Sequence, residues 1–135
     1  MNPHDIPFVK QIGIEETNQG LALEKSIEVS NHLETIHAGA LFTLAETASG
    51  MYLQKLFPDL SGKVIPIVRD AQIKYKKPAQ KKVYTSARVE DEAREKFSEQ
   101  FAIKRRGSIT VTVDLKDEDD LLIAVGEFNW FVQSI

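Results

Sequence analysis

The sequence predicts an α+β domain in which an antiparallel sheet wraps around one long central helix. Three observations predict it. The stretch from His37 to about Leu56 is rich in Ala and Leu, holds no proline and is apolar or small nearly all round. That is the pattern of a buried helix rather than a surface one. The segments that follow it mostly alternate apolar and polar residues, with the period of strands that bury one face. The chain is 135 residues long, and no repeat, low-complexity tract or Pro/Gly/Ser-rich linker divides it, so one domain over residues 1–135 is expected. A sheet wrapped around the helix is an economical way to bury it.

The elements follow in order. The first residues, roughly PHDIPFVKQI, suit a short helix. IGIEE and LALEKSIEV flank a turn at Asn18-Gln19-Gly20. In the second of these, Leu21, Leu23, Ile27 and Val29 are the expected buried face of one strand. After the long helix, Pro58 and Gly62 mark a break. VIPIVRDAQIKYKK then reads as a strand that stops at Pro78. KVYTSARVE, SITVTVDLK and LLIAVGEFNWFV are three more strands, the last two joined by the acidic turn DEDD. Between KVYTSARVE and SITVTVDLK, DEAREKFSEQFAIKRRG reads as a second helix with acids at its start, bases at its end and a closing glycine. Ala93, Phe97 and Phe101 form its apolar stripe.

Composition narrows the function. Hydrophobic residues make up 42% of the chain, enough for a core, and the net charge of −3 does not fit nucleic acid as a partner. The absence of cysteine removes disulfides, thiolate nucleophiles and thiolate metal sites, and fits a cytoplasmic location. MNPHDIPFVKQIG lacks the pattern of a signal peptide, and no apolar run is long enough to span a bilayer. His4, His32 and His37 show no zinc-binding spacing, so no metal and no cofactor are expected.

The long helix carries the chemistry. Glu46 is the one formally charged residue from Ala38 through Gln54, and no cation lies three or four residues away. A carboxylate on a buried helix needs a partner, a wet cavity or a raised pKa. Two readings stand at this point: Glu46 pairs with a distant Arg or Lys or points into bulk water, or it is a catalytic carboxylate facing a cleft. At the helix start, free amides carry partial positive charge and stabilise an oxyanion, and the small Ala38 and Gly39 leave room for a substrate oxygen. Glu46 lies eight residues beyond Ala38, a rise of roughly 12 Å.

IHAGALFTLAETASG resembles the helix signature of PaaI-type hotdog thioesterases, HGG, then five or six intervening residues, then an acid. RDAQIKYKKPAQKKV resembles that family's strand ending in Y-x-x-P-A, and the order of elements is similar across nearly the whole chain. The second helix is similar instead to a neighbouring hotdog subgroup. The resemblance implies hydrolysis of a small or medium acyl-CoA. It implies that Glu46 is the general base or nucleophile and that the Ala38 N–H polarises the thioester carbonyl. Gly39 stands for the second glycine, His37 lies near the thioester, and Asn31 helps orient the attacking water. The sequence departs from the pattern twice: HAG replaces HGG, and Val68 falls where some members carry a hydroxyl residue. The local alternatives are that His37 caps the helix and that Asn31 forms a turn.

The resemblance also implies a homo-oligomer, a dimer or tetramer, whose sheets pair edge to edge to build each site from two subunits. For the phosphates of coenzyme A, the candidates are Lys76 and Lys77, with Lys81, Lys82, Arg105 and Arg106 further off; each is otherwise a solvated surface charge. Arg69 lies within a strand, on the face shared with Ala71, Ile73 and Tyr75, and is placed to meet Glu46 or a ligand. A non-catalytic acyl or acyl-CoA binding module is the alternative function. A hotdog dehydratase would need an H-x-x-x-x-P-G pattern that the sequence lacks.

Overall fold

The computed structural model describes residues 2–135. After a 3-10 turn at Pro3–Asp5 come α1 (Pro7–Ile12), β1 (Glu15–Thr17) and β2 (Gly20–Leu23). The long helix α2 spans Ala38–Leu56. It is followed by β3 (Val64–Tyr75), β4 (Val83–Arg88), α3 (Asp91–Lys104), β5 (Arg106–Asp117) and β6 (Leu122–Ser134). The six strands form one sheet in the order β1-β2-β4-β5-β6-β3, and every neighbouring pair is antiparallel.

The sheet curls around α2 as the apolar pattern predicts. Leu41, Leu44, Ala45 and Ala48 on the helix are buried against Leu21, Val83, Val111, Val113, Leu115 and Phe128 on the strands. Each fully buried aliphatic side chain contributes roughly 1.5–3 kcal/mol relative to leaving it in water. Inward residues of β4 and β5 follow the expected alternation, with Val83 and Thr85, then Ile109, Val111, Val113 and Leu115, on the buried face. Ser49 and Trp130 anchor α2 to β6 through a buried bond of 2.9 Å donated by the indole N–H to the hydroxyl.

Three expectations need correction. The strand expected to run to Val29 stops at Leu23, and Ile27–Val29 is a 3-10 turn with Ile27 87% exposed. Lys25 and Ser26 leave the sheet, so the alternation beyond Leu23 has no ladder to read it. The glycine expected to close α3 does not: Arg105 takes the left-handed conformation (φ 60°) and returns its N–H to the Phe101 carbonyl. Gly107 lies in β5 instead, under Phe97, where an added Cβ would come within 3.1 Å of the ring. Finally, a β-bulge between Val68 and Asp70 leaves Arg69 out of register, so it does not share the regular alternation of Ala71, Ile73 and Tyr75.

β3 is a sheet edge, with β6 as its one partner strand among the described residues. That position tolerates Pro66 within the strand. It also leaves Ile65 and Ile67 each 52% exposed. The opposite edge, β1, is only three residues long, a common way of blunting an edge against unwanted pairing.

Candidate active site

The start of α2 is held by its own cap. His37 Nδ1 accepts the Gly39 N–H at 2.8 Å, and the His37 carbonyl accepts from Ala40 and Leu41. The Ala38 N–H has no acceptor among the described residues. His37, Ala38 and Gly39 are all exposed. Tyr75, at the end of β3, donates its hydroxyl to the Ala38 carbonyl at 3.0 Å. This bond brings the end of β3, and Lys76 and Lys77 just beyond it, to the mouth of the helix. Both lysines are exposed, with their backbone N–H groups held on the Ile123 carbonyl.

Glu46 lies two turns further along, on the less buried stripe of α2 that also carries Thr43 and Gly50. It makes no ion pair among the described residues. Burial alone raises its carboxyl above the usual carboxylate range. Glu46 borders a cavity of about 480 Å³ lined mostly by apolar side chains, among them Leu53, Phe57, Val64, Phe97, Trp130 and Val132. A partly buried carboxylate with no cation, bordering such a cavity, has the makings of a general base.

The other candidates are placed as follows. Asn31 organises its own loop: its side-chain oxygen accepts from the Leu33 and Thr35 amides, and its amide donates to Thr35 Oγ1. Arg69 sits over the Phe131 ring, its guanidinium carbon 3.6 Å from the centroid, and makes no ion pair with Glu46. Val68 is half-buried opposite Trp130. Lys81 pairs with Asp119, and Lys82 with Glu15 and Glu24, so both belong to surface ion pairs. Sequence reasoning missed the cavity walls. The spacing Glu46, Gly50, Leu53, Phe57 places one stripe along α2 and would have indicated one wall; the contribution of Phe97 depends on how α3 folds back, which no local spacing encodes. No group of three or more metal-ligating side chains comes together among the described residues, and no helix among them is long and apolar enough to cross a membrane.

One antiparallel sheet wrapped around one long helix is the architecture of a hotdog domain, and solved hotdog structures match it over nearly the full chain. Residues 7–132 match the model of the domain-of-unknown-function family DUF4442, and the chain belongs to that family. PA5026 from Pseudomonas aeruginosa, a protein of unknown function described as a probable thioesterase, superposes with a TM-score of 0.79 at 24% identity, covering 98% of this chain and 91% of its own. BH2602 from Bacillus halodurans, solved with CoA, gives a TM-score of 0.70 at 23% identity, covering 90% of this chain and 72% of its own. Thioesterase HI1161 from Haemophilus influenzae gives 0.74 at 15% identity, covering 97% and 85%. No curated protein matches the sequence. The expected resemblance to hotdog-fold thioesterases therefore holds at the level of the fold.

Proposed function

We propose that the protein is a PaaI-type hydrolase of acyl-CoA thioesters, with Glu46 as general base or nucleophile and the Ala38 N–H as the donor to the thioester carbonyl. The observation that carries the proposal is Glu46 itself: a partly buried carboxylate without a cation, at the border of an apolar cavity. In the general-base form, Glu46 takes a proton from water and the resulting hydroxide adds to the carbonyl carbon. The Ala38 amide stabilises the oxyanion, the C–S bond breaks, and the CoA thiolate leaves and is protonated. A thioester needs no strong acid to release its thiolate, so this short list of groups suffices.

Ala38 and Glu46 of one chain stand roughly 12 Å apart along α2, too far to hold the same thioester. Two copies paired antiparallel along β3 set their α2 helices side by side in opposite directions, so that each Glu46 meets the other helix's start. The exposed Ile65 and Ile67 and the unpaired edge of β3 support that pairing. Lys76 and Lys77 beside the helix start are suited to the CoA phosphates, and His37 and Gly39 shape the entrance. Arg69 on the same edge strand is a further CoA contact, and Asn31 acts by fixing the loop that leads into α2. CoA bound by a protein of the same fold supports this choice of ligand. The proposed setting is cytoplasmic, where CoA esters are made.

A second reading is favoured by the occupied Gly39 amide and by Val68, which has no side-chain hydrogen-bonding group: a module that holds acyl-CoA without cleaving it. Thiol release from short, medium, long and aryl acyl-CoAs separates the two. Turnover of at least one class is the expected result. Tight binding with no release from any ester would establish the second reading.

A further inference from the structure

We infer that Gly50 and Trp130 are specificity-determining residues: together they set how wide an acyl group fits beside Glu46. The inference rests on the reading that Glu46 marks the thioester end of a bound acyl group.

Gly50 stands one turn beyond Glu46 on the same face of α2, a rise of roughly 6 Å. Both residues line the cavity, and so does Trp130 of β6. The indole lies against the bare backbone at Gly50. A Cβ added there would stand 3.1 Å from the ring's Cζ2 and 3.2 Å from its Cη2. Carbon atoms in ordinary contact sit about 3.5–4.0 Å apart. A side chain at position 50 and the indole therefore cannot both keep their places. Glycine inside a helix is destabilising relative to alanine, and what this one provides in return is a seat for the ring.

The ring is pinned on that seat. Its N–H donates to the buried Ser49 hydroxyl at 2.9 Å, and the same hydroxyl donates to the Glu46 carbonyl at 2.6 Å. Val68 of β3 and Ile109 of β5 stand opposite Trp130 on the two flanking strands. With strands on both sides and the helix in front, the free volume next to the ring is the cavity. A side chain at position 50 drives the indole into it, one turn from the carboxylate. What the glycine preserves is width close to Glu46. An acyl group branched or cyclic near its thioester needs that width, and an unbranched one does not.

The test uses S-hexyl and S-cyclohexyl CoA thioethers, matched in carbon number, different in width and resistant to hydrolysis. Trp130 is the one tryptophan of the chain, so its fluorescence reports on this wall alone. Both thioethers are expected to shift its emission, and CoA without an alkyl group is not. Calorimetry then gives the ratio of cyclohexyl to hexyl affinity. Gly50→Ala is expected to lower that ratio about tenfold, as overpacking does, and Trp130→Phe, which trims the ring, to raise it. Each ratio is taken on one folded variant, so a change in stability alone leaves it unmoved. Emission unchanged by a bound thioether, a ratio equal in wild type and variants, or a ratio that moves the same way in both variants would each overturn the inference. Binding and turnover fail separately here. Opposed ratios without turnover of any acyl-CoA leave the width gauge standing and remove the hydrolase; thiol release with unmoved ratios does the reverse. No binding of either thioether removes the gauge and the choice of CoA together.

Discussion

A carboxylate that loses solvent without gaining a cation holds its proton to higher pH than usual, and Glu46 is in that position. Two consequences follow, of opposite sign. The native state binds the proton more tightly than the unfolded chain does, so stability falls as pH rises from the ordinary carboxylate pKa through the raised one. Glu46→Gln, which carries no charge, is therefore expected to be more stable than wild type at neutral pH. The gain should vanish below the ordinary carboxylate range, as read from urea unfolding at several pH values. Activity runs the other way, because only the deprotonated Glu46 can act as base or nucleophile. A plot of kcat/KM against pH should rise through a pKa above the usual carboxylate range, and a profile flat through that region would remove Glu46 from the chemistry. The charge pattern of α2 made Glu46 legible in the sequence. The state of its surroundings was not, because desolvation depends on β3, β6 and α3 folding over it. His37 and Asn31 show the same limit. Their local alternatives, helix cap and turn former, are what the hydrogen bonds display.

At the scale of elements, α2 is set by packing on nearly every side. Leu44 has no exposed surface, and Leu44→Ala should cost about 2–5 kcal/mol in chemical denaturation. A smaller effect of different origin is expected at Ser49. Its hydroxyl accepts from the Trp130 indole at 2.9 Å and donates to the Glu46 carbonyl. Ser49→Ala strands a buried N–H and should cost about 1–3 kcal/mol, whereas Ser49→Thr, which keeps the hydroxyl, isolates the cost of an extra methyl. The central strands and both main helices were legible because their period reports directly which face is buried. β2 was not, since the alternation through Val29 lacks a neighbouring strand after Leu23. The end of α3 was misread for a related reason: Arg105 tolerates a left-handed backbone there while its guanidinium lies over the Phe101 ring, 5.3 Å from the centroid. That frees Gly107 for a packing role against Phe97 that composition does not reveal.

For the whole molecule, the division of labour along α2 has a physical consequence. One chain presents an open amide at the helix start and, two turns away, a carboxylate at the border of a cavity that its own β3 and β6 help to line. The β3 edge, with Ile65 and Ile67 exposed, is the proposed surface for a second copy. Ile65→Lys combined with Ile67→Lys places charge on that edge. The expected outcome is a monomer by sedimentation equilibrium that has lost turnover but not its helical signal; an unchanged dimer would contradict the pairing. One assay reaches the proposed role of Glu46 directly: thiol release from the best acyl-CoA substrate by wild type and by Glu46→Gln at the same pH. A fall in kcat of about two to four orders of magnitude is expected in a variant at least as stable as wild type. Turnover within a few-fold of wild type would contradict that role, because no other Asp or Glu side chain borders the cavity among the described residues.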